Sequence, residues 1–392
     1  AIKSKRVESI DLLRGLVMII MALDHVRHFF HRDAFLYEPT DLNRTTVFLF
    51  FTRFITHYCA PIFVFLAGTS AYLSGIKKTK RELSQYLFTR GLWLVFVELF
   101  IIILGQTFNP TYPYFNLQVI WAIGVSMMIL SALIYLKRQV TLVIAILLIG
   151  GHNLLDTLHV QGTGPAAFSW AVLHEPKEFI WGHKTFYVMY PVIPWIGIIA
   201  IGYCLGSLYH SSYDAVKRRK TLFLIGFSAI ALFIILRFFN IYGDAAHWSV
   251  QKSISFSLLS ILNVTKYPPS LLYTLITLGP ALIFLAVSEK PLNAFKNKVT
   301  VFGRTPFFYY VVHIYMIHLF AMIGAVVLGY NWSDMILKTK VNRVPELKGY
   351  GVDLLTTYII WIVLIICLYP LCRWFDQYKR MNQAKQWWLT YL

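Results

Sequence analysis

Apolar stretches as long as a bilayer is thick recur along this chain, and that recurrence restricts its fold more than any other feature. Crossing a hydrocarbon core takes about 20 mostly apolar residues in a helix. Ten segments meet that requirement, at 9–31, 46–75, 86–106, 114–136, 139–155, 188–209, 221–241, 268–288, 304–329 and 353–374. The composition agrees: 57% of residues are hydrophobic and only 14% charged, against about 25% charged in ordinary soluble domains. Too little polar surface exists to cover such a chain in water. The expectation is an all-α polytopic membrane protein, a single bundle of about ten transmembrane helices in which residues 1–392 form one domain. The gaps near 156–187, 242–267 and 330–352 are predicted to be loops packed over the bundle.

The net charge of +18 does not mark a nucleic-acid partner, because the basic residues are divided among short loops. They set topology and attract anionic lipid instead. With the N-terminus inside, Lys3, Lys5, Arg6, Lys77, Lys78, Lys80, Arg81, Lys137, Arg138, Lys217–Lys220, Lys290, Lys296, Lys298 and the tail fall on one side. That side holds twenty basic residues against ten in the longer outer loops. Both ends are therefore predicted to face the cytoplasm. The first apolar stretch is too long for a cleavable signal peptide and no small-residue cleavage site follows it. Cys59, Cys204, Cys367 and Cys372 lie in or beside apolar runs without a CxxC pair, which reads as packing rather than a disulfide framework. No internal repeat stands out, which weighs against a secondary-transporter architecture.

Ionisable residues at membrane depth are costly and mark function. The first helix carries Asp11, Arg14, Asp24, His25, Arg27 and His28, with His31 and Arg32 at its end. Arg14 and His25 lie about three turns, or about 16 Å, apart on nearly one face. Asp24 and His28 are an i, i+4 pair, and His31 continues that stripe. A carboxylate beside an imidazole fixes its tautomer and raises its basicity, which suits a general base. Helix glue is the plainer reading of a single such pair; three histidines, an aspartate and two arginines favour chemistry. The His25-x-x-His28-x-x-His31 spacing spreads around the helix and fits a zinc site poorly, so no metal is expected. Arg53 and His57, Glu98, and His313 and His318 add further intramembrane polar groups. Arg14, Arg90 and Arg304 share one depth, where they either snorkel to lipid or form a phosphate-binding mouth. Tyr190–Trp195 and Lys266–Leu271 are proline-containing joints at helix starts.

The opening Ser9-Ile10-Asp11-Leu12-Leu13-Arg14-Gly15-Leu16 with Leu23-Asp24-His25 resembles the heparan-α-glucosaminide N-acetyltransferase-like family, within the superfamily of transmembrane acyltransferases. Ala60–Gly68, Trp121–Ser126, both proline joints and Gly303–Phe307 with His313 continue the likeness in order. The resemblance implies a ten- or eleven-helix enzyme. It would take an acyl group, usually acetyl, from coenzyme A on the cytoplasmic side and deliver it to a sugar hydroxyl or amine on the far side. Related O-acyltransferases place a basic residue and a histidine at the positions of Arg14 and His25. In the lysosomal enzyme, asparagine matches His25 and the catalytic histidine follows in the next loop, so His28 and His31 stay open as alternates. The absence of that enzyme's luminal domain suits a bacterial inner-membrane member. The expected assignment is catalytic Asp24 and His25, with His28 and His31. Arg14, Arg90, Arg304 and His313 are expected to bind the donor, acetyl-CoA. The expected partners are a glycan or amino-sugar acceptor and membrane lipids, with no nucleic acid; a homodimer is left open. The rival reading is a transporter or flippase moving an intact sugar or lipid-linked glycan.

Overall fold

The computed structural model describes residues 7–289, 293–382 and 385–390. Lys3, Lys5, Arg6 and Lys290, counted above toward the inner side, lie outside the described residues. In chain order, α1 (Glu8–Phe30) is followed by α2 (Val47–Thr56), α3 (Cys59–Gly75) and α4 (Lys80–Phe96), and a π-helical segment, Val97–Ile102, leads into α5 (Ile103–Thr107). Next come β1 (Tyr114–Leu117), α6 (Val119–Leu133), α7 (Arg138–Gly151), α8 (Pro165–Leu173), β2 (Lys177–Trp181) and β3 (Lys184–Val188). The rest is helical: α9 (Ile193–Gly206), α10 (Ala215–Phe239), α11 (Ile254–Leu262), α12 (Leu271–Val287), α13 (Ala294–Arg304), α14 (Pro306–Val327) and α15 (Leu354–Asn382).

Of the ten expected spans, six are helical segments long and apolar enough to cross a membrane: 47–75, 80–107, 138–155, 215–239, 306–327 and 354–382. Three more are apolar but shorter, at 119–133, 193–209 and 271–287. The tenth, α1, has the length but carries five carboxylates and guanidiniums. Side chains such as Leu224, Phe238 and Ile366 are 62–70% exposed on the outer faces of α10 and α15, where only lipid makes such exposure cheap.

The fold is not wholly helical. β1 pairs in parallel with β3, and β2 pairs antiparallel with β3, giving a three-stranded sheet in the order β1-β3-β2. The 114–136 and 188–209 segments thus begin as strand, and the supposed 156–187 loop holds α8 and the β2–β3 hairpin. Two aromatic-rich runs separated by Gly182-His183 are the hairpin signal in the sequence, and Gly182 takes the left-handed conformation (φ +60°) that this turn needs. Phe115 and Phe186 stack across the β1–β3 pair, ring centroids 4.7 Å apart. Leu117, Ala167, Ala171, Phe179 and Val188 give sheet and α8 a small core of their own. This cap covers one end of the bundle.

Two local features aim polar groups inward. The expected 46–75 helix is interrupted at His57–Tyr58. Pro61 has no N–H for the carbonyl of His57 four residues earlier, and the Tyr273 hydroxyl donates to that carbonyl instead, at 2.7 Å. The second feature is backbone contact between helices. A Cβ on Gly303 would overlap the Asp11 carbonyl, and one on Gly15 would overlap the Val299 carbonyl, so α1 and α13 touch backbone to backbone. Small residues let membrane helices approach this closely. Gly303→Ala should therefore destabilise the protein by about 1–3 kcal/mol through overpacking, measured as a lowered Tm in detergent; an unchanged Tm would show that the crossing can open.

Candidate functional site

Two cavities in the bundle have charged linings. The larger, about 500 Å³, lies under the cap. α1 supplies Asp24, His25, Arg27 and His28, and α2 supplies Arg53; His57 comes from the break, Tyr187, Met189 and Tyr190 from β3 and its exit, and Lys266 and Tyr267 from the turn before α12. The smaller, about 370 Å³, is lined by Arg14, Arg90, Arg304 and Lys379 over a floor that includes Leu66, Leu87, Ile120 and Phe307. Among the described residues, none that lines it is acidic. Phe63 and Val119 line both cavities. Met18 faces the smaller and Met21 the larger; Tyr310 and Ile314 repeat the division on α14. One helical turn, about 5 Å, therefore separates the two hollows.

In the smaller cavity each guanidinium is held. Arg14 donates to the Ser70 hydroxyl (3.0 Å), the Gly303 carbonyl (3.1 Å) and Asp11 (3.2 Å). Arg304 closes α13, rather than opening the next helix as expected. It donates to Asp376 (2.9 Å) and the Thr300 hydroxyl (2.7 Å). Arg90 donates to the Tyr86 hydroxyl at 3.3 Å. Arg14, Arg90 and Arg304 each neighbour a glycine at a helix crossing: Gly15, Gly91 and Gly303. Backbone contact at those glycines is what gathers three cations at one depth. Lys379, counted in the sequence only as a tail charge, completes the ring.

In the larger cavity the expected carboxylate–imidazole pair does not form. Asp24 instead bridges two arginines, accepting from Arg53 at 2.6 Å and Arg27 at 3.0 Å. Two guanidiniums offer it charge-assisted hydrogen bonds that a neutral imidazole cannot match. His25 is oriented by another histidine: its Nδ1 lies 3.0 Å from Nε2 of His313, and the rings stack with centroids 5.0 Å apart. His313, expected among the donor-binding cations, is fully buried behind His25. The tautomers follow from the partners. His313 Nδ1 lies 3.0 Å from the Tyr309 carbonyl, which only accepts, so Nδ1 carries the proton and Nε2 carries a lone pair. His25 Nδ1 must then donate to that lone pair. Nε2 of His25 is left as an unprotonated acceptor, and among the described residues nothing occupies it.

The remaining expected residues divide. His28 lines the larger cavity, edge-on to Phe29. His31 lies beyond the end of α1, where its Nδ1 donates to the Val352 carbonyl (3.2 Å) and its Nε2 is 3.4 Å from Asp33; it lines neither cavity. Glu98 lines neither as well. It sits on the π-helical segment and accepts from the Trp121 N–H at 3.2 Å, capping α6. His318 is tied to backbone carbonyls of Gly105 and Met335.

The cap side of the cavity is electropositive. Burial alone would raise the Tyr267 phenol, but the Lys266 ammonium and the Arg53 guanidinium beside it bring it below its ordinary value. Burial, and then Arg343, lower the Lys340 ammonium, which stands 3.9 Å above the Tyr187 ring. Sequence reasoning noted His57 and the Lys266–Leu271 joint that carries Tyr267, and missed Tyr187 and Lys340, which lie far apart in the chain.

No curated protein matches this chain. A family model described as heparan-alpha-glucosaminide N-acetyltransferase, catalytic, matches residues 6–238, which takes in Arg14, Asp24, His25, Arg53 and Arg90 and leaves Arg304 and His313 beyond it. The match covers more than half of the chain, and with the charged signature of α1 inside it, the chain belongs to the heparan-alpha-glucosaminide N-acetyltransferase family, a family of membrane acetyltransferases.

Proposed function

We propose that the protein moves an acyl group, acetyl by family, from acyl-CoA to the hydroxyl or amine of a sugar across the boundary between its two cavities. One observation carries the reading: a cation-ringed hollow and a hollow holding an unprotonated imidazole nitrogen meet at Phe63 and Val119. Arg14, Arg90, Arg304 and Lys379 would take the phosphates of the nucleotide, since arginine matches phosphate bidentately. The apolar floor beside them suits the pantetheine arm, whose thioester reaches the junction.

His25 Nε2 accepts the proton of the acceptor's O–H or N–H as that atom attacks the thioester carbonyl. The C–S bond breaks, the thiolate leaves, and the proton on His25 returns to it or to solvent. His313 keeps the proton on His25 Nδ1 throughout. Arg27, Arg53, Lys266 and Lys340 give the acceptor hollow an excess of positive charge over Asp24 and Glu38, and Tyr187, Tyr190 and Tyr267 give it faces on which a sugar ring stacks.

Contacts among the basic loops support a sidedness. Lys80 donates to the Tyr135 carbonyl and Arg218 to Glu289 and the Leu208 carbonyl, so these loops gather at the Arg14 end. Their positive charge supports a cytoplasmic Arg14 end, with the cap on the opposite side.

The test is turnover by purified protein in detergent, with acetyl-CoA and a panel of sugars and amino sugars, read as free thiol. Thiol release that depends on the sugar is expected. Sugar accumulation in proteoliposomes without thioester loss would instead make the protein a transporter. Arg14→Ala should raise KM for acetyl-CoA about tenfold or more, as expected for losing one charge-assisted contact, and leave kcat nearly unchanged. An effect on kcat alone would remove Arg14 from donor binding.

A further inference from the structure

The cap that carries Tyr187 and Tyr190 is joined to the bundle through three side chains that acyl transfer does not use. α7 ends in a tight turn, His152–Leu155, with Asp156 directly after it, and His174 closes α8. His152 and His174 are 2% and 3% exposed. One ligand atom from each of the three residues lies within 4.8 Å of the others.

The set has the chemistry of a cation site. His174 Nε2 and Asp156 Oδ1 are 3.1 Å apart, a few tenths of an ångström inside the roughly 3.3–3.6 Å between two ligands that each sit about 2.0–2.2 Å from one tetrahedral zinc. Asn153 donates to the other Asp156 oxygen at 2.9 Å, and its own carbonyl oxygen accepts from the Leu271 N–H at 3.0 Å; supports of this kind orient metal ligands. Among the described residues neither ring nitrogen of His152 has a hydrogen-bond partner, nor does Nδ1 of His174. The Pro269 carbonyl approaches His152 without completing a hydrogen bond. A buried imidazole with an idle lone pair is costly in a folded protein and is what a transition-metal ion seeks.

We propose that His152, Asp156 and His174 bind a divalent transition-metal ion, zinc by ligand type, with a fourth position open to water. The ion fastens the end of α8 to the end of α7 and so holds the cap over the acceptor cavity. His152 closes the remaining gap by a small shift of its side chain. The site is separate from His25, His28 and His31, so it revises the expectation of no metal without altering the acyl-transfer reading.

Full-length protein in detergent is loaded with Zn²⁺, desalted into metal-free buffer and analysed for bound zinc. About one zinc per chain is expected in wild type and in His25→Ala, and none in His152→Ala. Chelator should lower the Tm of wild type and leave that of His152→Ala unmoved. Co²⁺ loading supplies a readout that does not depend on that variant folding. Wild type should show the visible d–d bands of a tetrahedral site, and His174→Cys should add a sulfur-to-cobalt charge-transfer band. A wild-type protein that retains no zinc, or a His174→Cys spectrum with no thiolate band, overturns the proposal.

Discussion

Replacement of His25 by alanine should lower kcat by about 10²–10⁴-fold, the usual worth of a positioned general base, in a protein that still purifies as a single folded species. The geometry makes the contrast with its neighbours specific. Among the described residues His28 lines the same cavity without a hydrogen-bond partner to fix its tautomer, so His28→Ala should alter acceptor KM more than kcat. His31→Ala removes the link from α1 to the Val352 carbonyl, and its effect should appear in stability with turnover near wild type. His313 is a positioning residue: His313→Ala should reduce kcat while acetyl-CoA KM stays constant. A glutamine whose side-chain carbonyl can accept from His25 Nδ1 should restore part of the rate. Measuring kcat and KM for the four variants checks all of this, and wild-type turnover in His25→Ala would remove histidine from that role.

A second large effect is expected at Asp24, on folding rather than on rate. Its carboxylate joins two guanidiniums whose side chains are only 6% and 10% exposed. Asp24→Asn leaves both cations without a counter-ion in a low-dielectric interior, and breaking a buried pair in this way costs about 3–5 kcal/mol. The expected result is a sharp loss of folded protein, read by size-exclusion chromatography and thermal unfolding. Asp24→Asn combined with Arg53→Met should recover part of the loss, because one uncompensated charge disappears with its partner. If Asp24→Asn folds like wild type but loses turnover, Asp24 acts in catalysis and not in assembly.

The two variants show what the residues alone could and could not tell. Charge density on one helix pointed to α1, and the shared depth of Arg14, Arg90 and Arg304 pointed to a cationic mouth; both features are local in the chain. The partner of His25 was not legible: His313 stood out as an intramembrane histidine, but it lies 288 residues away and spacing along one helix cannot join it to His25. Helical spacing likewise paired Asp24 with His28, whereas the stronger attraction came from Arg53 on another helix. Apolar length overstated α6, α9 and α12, because it does not register where Tyr114 or Lys184 starts a strand or where the proline turn before Leu271 ends. The cap itself was hidden by reading 156–187 as loop, although its Gly182-His183 turn was in view.

The wall of Phe63, Val119 and the two methionines, one turn thick, also bears on energy conservation. A protein open to water from both faces would short-circuit the membrane potential, where each elementary charge is worth about 2.3 kcal/mol per 100 mV. In the proposed reaction an apolar septum here bars ions, while the acyl group that crosses it carries no charge. Vesicles holding the protein should accordingly stay electrically tight throughout turnover.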